Sequence, residues 1–190
     1  MTLQQRPSNV IRYKGQEYEF HPYFNRVLTL LSEVFPSTLL NDAEKIEIAV
    51  KSLSEAPVCQ DVFELILLEL FPRDKKEESE KTMDFEQDAG LIYAAFLQTY
   101  GIDLYEQKNK MDWRMFTTLI KGLPENTEFS RVVKLRCTKI PERTKSNGDY
   151  VDSLVRAKRA VQLYEPTENK KKRLANQWIK IAEGWMNGRR

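Results

Sequence analysis

Histidine is almost missing from this chain. One imidazole, His21, and two cysteines, Cys59 and Cys137, are all it offers for imidazole or thiol chemistry. No Cys-x-x-Cys spacing occurs, and a single histidine cannot complete a zinc tetrahedron with two distant thiols. The thiols read as free, buried groups of a reducing compartment. A Ser-His-Asp or Cys-His centre would have to use His21. That residue sits beside Pro22 at a strand-to-helix joint and reads as structural or solvent-facing. The seven glycines are scattered, so there is no glycine-rich phosphate loop, and neither GxSxG nor HExxH occurs. Together these absences argue against an enzyme, a bound metal or a cofactor.

Long apolar runs are lacking as well. None approaches the roughly 20 residues that a bilayer-spanning helix needs. The polar stretch from Thr2 to Asn9 is not a signal peptide, and a soluble, intracellular protein is expected. An excess of one charge is also lacking: 30 basic and 28 acidic residues give a net charge of +2. Such a balance requires neither a nucleic acid nor a membrane. Carboxylate pairs do occur, as Glu77-Glu78, Glu86 with Asp88, and Asp103 with Glu106. In a chain that is 31% charged they carry no signal for acid–base catalysis.

What the chain does have is helical periodicity. Its 190 residues, 41% hydrophobic, are enough for one packed domain or two small ones. Val10 to Phe20 reads as a β-hairpin turning at Lys14-Gly15, with Tyr18 and Phe20 on one face. Pro22 then suits the first turn of a helix carrying Phe24, Val27, Leu28, Leu31 and Val34, ended by Pro36. Asn41 with Glu44 forms a capping-box pattern ahead of Ile46, Ala49, Val50 and Leu53. Val62, Leu65, Ile66 and Leu70 predict a third helix. The charged run from Arg73 to Lys81 reads as a solvated loop. It divides an N-terminal hairpin-plus-helices part (1–72) from a helical part (84–190), with 73–83 as linker; one continuous domain is the alternative. The fold class is mainly α, with a short N-terminal hairpin and a central helix around 84–100.

That central helix lies in the most distinctive stretch of the sequence. From Ala89 to Ile102 there is no charged side chain. Asp84 with Gln87 predicts the N-cap, and Gly101 after Tyr100 predicts a left-handed stop. Phe85, Ala89, Ile92, Tyr93, Phe96, Leu97 and Tyr100 form one apolar stripe. Leu91, Ala94 and Ala95 on the other side predict a helix buried nearly all round. Asp88 lies at the edge of the stripe. It either pairs with Arg136 or assists the helix N-terminus through the macrodipole. Further helices are expected after Asp112 (Trp113, Phe116), from Phe129 to before Pro141, and after a cap at Asp149. The last helix carries Leu174, Trp178, Ile181 and Trp185 opposite Lys170, Lys171, Lys172, Arg173 and Lys180. Its tryptophan face reads as a packing or partner-binding surface, or one of self-association. A nucleic-acid or membrane contact through the basic face is the lesser reading.

Several pieces occur in a fixed order: Asp84-Phe-Glu-x-Asp88, Ile92-Tyr-Ala-x-Phe96, Tyr100-Gly-Ile-Asp-Leu104, Trp113-x-x-Phe116, Gly122-Leu-Pro124 with Thr127, and Ile140-Pro141. This series resembles the gene-product-fifteen family of long-tailed bacteriophages over roughly Asp84 to Tyr164. The resemblance implies a tail assembly chaperone, small and mostly helical, working in the cytoplasm of the infected or lysogenic host and absent from the finished virion. Its implied partners are the tape-measure protein, coated until the tube forms, and the major tail protein that displaces the chaperone. It implies no catalytic residues. The alternatives are a structural or connector protein retained in the virion, or a nucleic-acid-binding protein using the basic C-terminal helix.

Overall fold

The computed structural model describes residues 8–71 and 82–164. They fall into two compact units. The first combines the N-terminal region with residues 107–118, and the second comprises residues from 82–106 and 119–164.

In the first unit, β1 (Val10–Tyr13) and β2 (Gln16–Glu19) pair antiparallel, with Val10 opposite Glu19 and Tyr13 opposite Gln16. Lys14 and Gly15 both have positive φ, 49° and 80°, the two-residue turn that matches strand twist. Ile11 and Phe20 point into the core. Helix α1 (Phe24–Thr29) starts later than expected. Pro22 precedes its cap residue Tyr23, and the Pro22 carbonyl accepts instead from Trp113 N–H at 2.7 Å. The run does not reach Pro36 as regular α-helix either. It widens into a π-helical turn over Leu30–Val34, closed by Phe35 N–H on the Leu30 carbonyl. Proline has no N–H with which to extend the ladder, so the helix ends on this wider bond.

Helix α2 (Asp42–Leu53) begins with the complete capping box: Glu44 N–H donates to Asn41 Oδ1, and Asn41 N–H donates to Glu44 Oε2. Helix α3 spans Gln60–Leu70. Val27, Val50, Leu53, Val62 and Ile66 form the core with Phe20. The sequence assigned Trp113 and Phe116 to the C-terminal part, whereas the structure builds them into this first core. Phe24 stacks on Phe116 at 4.8 Å, Phe24 N–H bonds to Met111 O, and Trp113 Nε1–H donates to the Leu70 carbonyl at 3.1 Å.

Helix α4 (Ala89–Tyr100) belongs to the second unit. Helix α5 (Trp113–Lys121) starts in the first unit and gives its last turn to the second. Asp112 accepts from Arg114 N–H at the start of α5, as expected of a cap. Helices α6 (Glu128–Cys137) and α7 (Gly148–Ala160) complete the second unit. Thr127 caps α6 by accepting from Ser130 N–H. For α7 the cap position is Asn147, not Asp149; Asp149 lies inside the first turn, where its charge favours the positive end of the dipole. The fold is mainly α with one N-terminal hairpin, as the sequence implied. The charged run from Arg73 to Lys81 lies outside the described residues.

Candidate functional site: the two faces of helix α4

The N-terminal side of α4 is organised around one carboxylate. Asp84 does not cap the helix as expected. Its Oδ1 accepts from Glu86 and Gln87 N–H, holding a turn over 85–88 that precedes α4. The cap residue is Asp88, whose side chain makes no capping bond because it is engaged elsewhere. Arg136 grips it in bidentate fashion, NH1 to Oδ2 at 2.7 Å and NH2 to Oδ1 at 2.8 Å, and Asp84 N–H adds a third donor. Asp88 is 2% exposed and the Arg136 side chain 12%. A carboxylate this buried requires donors of this strength, so the ion pair takes precedence over a simple dipole role.

The same guanidinium donates through Nε to the Val161 carbonyl at 2.6 Å and through NH1 to Thr82 O. One side chain thereby ties the segment before α4, the start of α4 and the end of α7. Lys158 Nζ donates to the carbonyls of Arg136 and Thr138, which the end of α6 would otherwise leave without donors. Gln87 and Tyr164 exchange two more bonds.

The far end of α4 stops as expected. Gly101 takes φ 65° and ψ 20°, and its N–H bonds to Leu97 O. Tyr100 hydroxyl donates to Leu119 O at 2.9 Å, and its ring meets Phe96 edge-on. Tyr93 packs on Tyr105 at 5.1 Å. Partial burial, reinforced by the negative charge of Asp103, raises the Tyr93 phenol above its usual range.

The sides of α4 differ sharply. Ile92, Ala95 and Phe96 are buried. Gly90, Ala94, Leu97 and Gln98 on the opposite side are exposed, with Leu97 47% accessible. This corrects the expectation of a helix buried nearly all round: Ala89 and Leu97, expected on the buried stripe, and Ala94 all meet solvent. Absence of charge does not mean burial here: one face packs and the other meets solvent without a charged group.

Other expected features sit apart from this region. Trp113 and Phe116 lie in the first core, and Pro141 is exposed beyond the end of α6. Trp178, Ile181 and Trp185, expected to bind a partner, lie outside the described residues. The cysteines differ from expectation, since Cys59 is half-buried and Cys137 exposed. The neighbouring Cys59 thiol, more than any other group, raises the Tyr13 phenol above its usual range. His21 faces Glu19 Oε2 at 3.0 Å and stacks on Tyr23. Among the described residues, no group of three or more histidine, cysteine or carboxylate side chains is placed to hold a metal ion.

Sequence reasoning passed over Arg114. Its guanidinium donates to Asp112, to Asn9 Oδ1 and to Ser8 O. No local signal marks such a hub, because two of its partners, Ser8 and Asn9, lie more than a hundred positions away in the chain.

A family model described as Bacteriophage Gp15 protein matches residues 5–163. The chain belongs to this family. No curated protein and no solved structure matches it. The Gp15 match takes in the hairpin and α1–α3, where the sequence offered no motif, as well as the ordered motif series after Asp84. It therefore contains the Asp88–Arg136 clasp and both faces of α4. Trp178, Ile181 and Trp185 lie beyond the matched Gp15 residues. Membership makes this a bacteriophage protein, with a structural or assembly role as its coarse functional class.

Proposed function

We propose that this Gp15-family protein is a tail assembly chaperone that binds the tape-measure protein and masks its apolar helical surface until tail-tube subunits replace it. The observation that carries the reading is membership of a phage family across both units. The physics supports it. A long amphipathic helix exposes an apolar stripe that aggregates when bare, and a helical protein with an uncharged solvent-facing surface can cover such a stripe. A cover that must later leave works through several modest contacts acting together, since each can be replaced in turn. In this reading the protein performs no chemistry and acts in the host cytoplasm. Its partners are the tape-measure protein and, at displacement, the major tail protein.

Co-expression tests it. A tape-measure fragment that precipitates alone should remain soluble when this protein is made beside it. Equal precipitation with and without the protein would end the chaperone reading. Mass spectrometry of purified particles should find the protein missing; its presence at stoichiometric level would instead favour a structural component retained in the virion.

A further inference from the structure

The exposed side of α4 is unlike the solvent side of every other long helix in the described residues. Helix α2 exposes Glu44, Glu47 and Lys51; α6 exposes Glu128, Arg131 and Lys134; α7 exposes Asp149, Arg156 and Arg159. A helix at a protein surface ordinarily carries such groups outward. On α4 the same position around the helix holds Gly90, Ala94, Leu97 and Gln98, and no charge occurs between Ala89 and Ile102. Gly90 is not required by the fold: its φ is not positive, and a Cβ placed there would meet nothing within 4 Å. A glycine inside a helix costs stability, so this one is unexplained by its own unit. Beside Ala94 it leaves a shallow floor, against which another helix can approach closely, next to the Leu97 side chain. Tyr105, exposed and packed at a tilt against Tyr93, adds an aromatic wall.

Charge decides what can occupy this face. Between Thr82 and Glu106 there are five carboxylates and no lysine or arginine. Asp88 is taken up by Arg136. Glu86 precedes the helix, and Asp103 and Glu106 follow it, so acid stands at both ends of the apolar strip. Two copies of this face packed together, parallel or antiparallel, would set acid against acid, which is unfavourable. A second copy is therefore the wrong occupant. The strip, about 18 Å long for its twelve residues, matches roughly three turns of a partner helix.

We propose that the exposed face of α4 is a docking surface for an amphipathic helix of a partner protein whose apolar stripe is flanked at both ends by lysine or arginine. The small residues seat the partner backbone, Leu97 and Tyr105 supply the apolar contact, and Glu86, Asp103 and Glu106 select the basic flanks. The surface would give the chaperone its working face, but the inference rests on the geometry of α4 and not on the identity of the partner.

The test uses the full chain and two designed helical peptides with the same leucine–alanine stripe, one ended by lysines and one by glutamates, titrated by fluorescence anisotropy. The lysine-ended peptide should bind, and the glutamate-ended one at least about tenfold more weakly, with the difference shrinking as salt rises. Leu97→Glu should weaken the lysine peptide by about tenfold or more, the effect of losing one buried leucine contact. Gly90→Leu should weaken it too while leaving the thermal transition at or above that of the wild type, which separates a lost docking floor from a lost fold. Equal affinity for both peptides overturns the proposal, as does binding unchanged in Leu97→Glu. Failure of the lysine peptide to bind the wild-type chain also overturns it, including the case in which the chain's own C-terminal segment covers the face. A peptide bound here without any solubilising effect on a tape-measure fragment would leave the docking face standing and remove the chaperone reading.

Discussion

Asp88 and Arg136 illustrate how a single residue pair can carry the second unit. The carboxylate is buried and held by two guanidinium bonds and one backbone N–H. Removing one partner strands the other, so Arg136→Met should cost about 3–5 kcal/mol in chemical denaturation, as expected when one member of a buried pair is lost. Exchanging both, as Asp88→Leu with Arg136→Met, should cost less than the sum of the single changes, and a double-mutant cycle measures the coupling. If Arg136→Met unfolds at the wild-type denaturant concentration, the clasp does not hold the unit together. The sequence made this pair visible as a candidate because a carboxylate on an apolar stripe needs a donor. It could not show that Arg136 also reaches Thr82 and Val161, since those are main-chain carbonyls and leave no trace in side-chain identity. Tyr93 gives a second test at the same scale. Its raised pKa means that its neutral form is favoured by the fold, so that contribution is present below the usual phenol range and disappears as pH rises through the folded value. In an alkaline absorbance titration, Tyr93→Phe should remove a phenol that ionises late.

At the scale of elements, backbone chemistry was the most legible part. The Asn41–Glu44 box and the Gly101 stop depend on residues three or four apart, and local sequence determines both. Gly101→Ala should destabilise by roughly 1–2 kcal/mol, because a Cβ is strained in the left-handed region. Gly90→Ala should go the other way, by roughly 0.4–1 kcal/mol, because its backbone is helical and its surroundings are open. Thermal melts of the two variants should therefore shift in opposite directions. If both lose stability, Gly90 has a structural role within its own unit. The start of α4 was less legible. Asp84 and Gln87 have cap spacing, yet the bonds they make close a turn one step earlier, because Asp88 is committed to Arg136. The outer face of α4 was misjudged for a related reason. Lack of charge is the usual signature of burial, but a surface that binds another protein carries the same signature, and sequence alone does not separate the two.

For the whole molecule, the division of the chain was the least legible feature. The charged run near residue 75 looked like the joint, but the first unit also recruits residues 107–118 from beyond α4. The decisive contacts are long-range: Trp113 Nε1–H reaches Leu70 O across 43 positions, and Arg114 reaches Asn9 across 105. No periodic pattern encodes such pairings. They make Trp113 a keystone of the first unit. Trp113→Ala should cost about 3–5 kcal/mol there, as large aromatic-to-alanine changes in cores do. Hydrogen exchange resolved by peptide should locate the damage. Amides of α1–α3 should exchange faster in this variant, while α6 and α7, whose ties run through Arg136, keep their protection. Arg136→Met should produce the converse pattern. Uniform acceleration in both variants would mean that the two units unfold together, and that the recruitment of residues 107–118 serves one cooperative core.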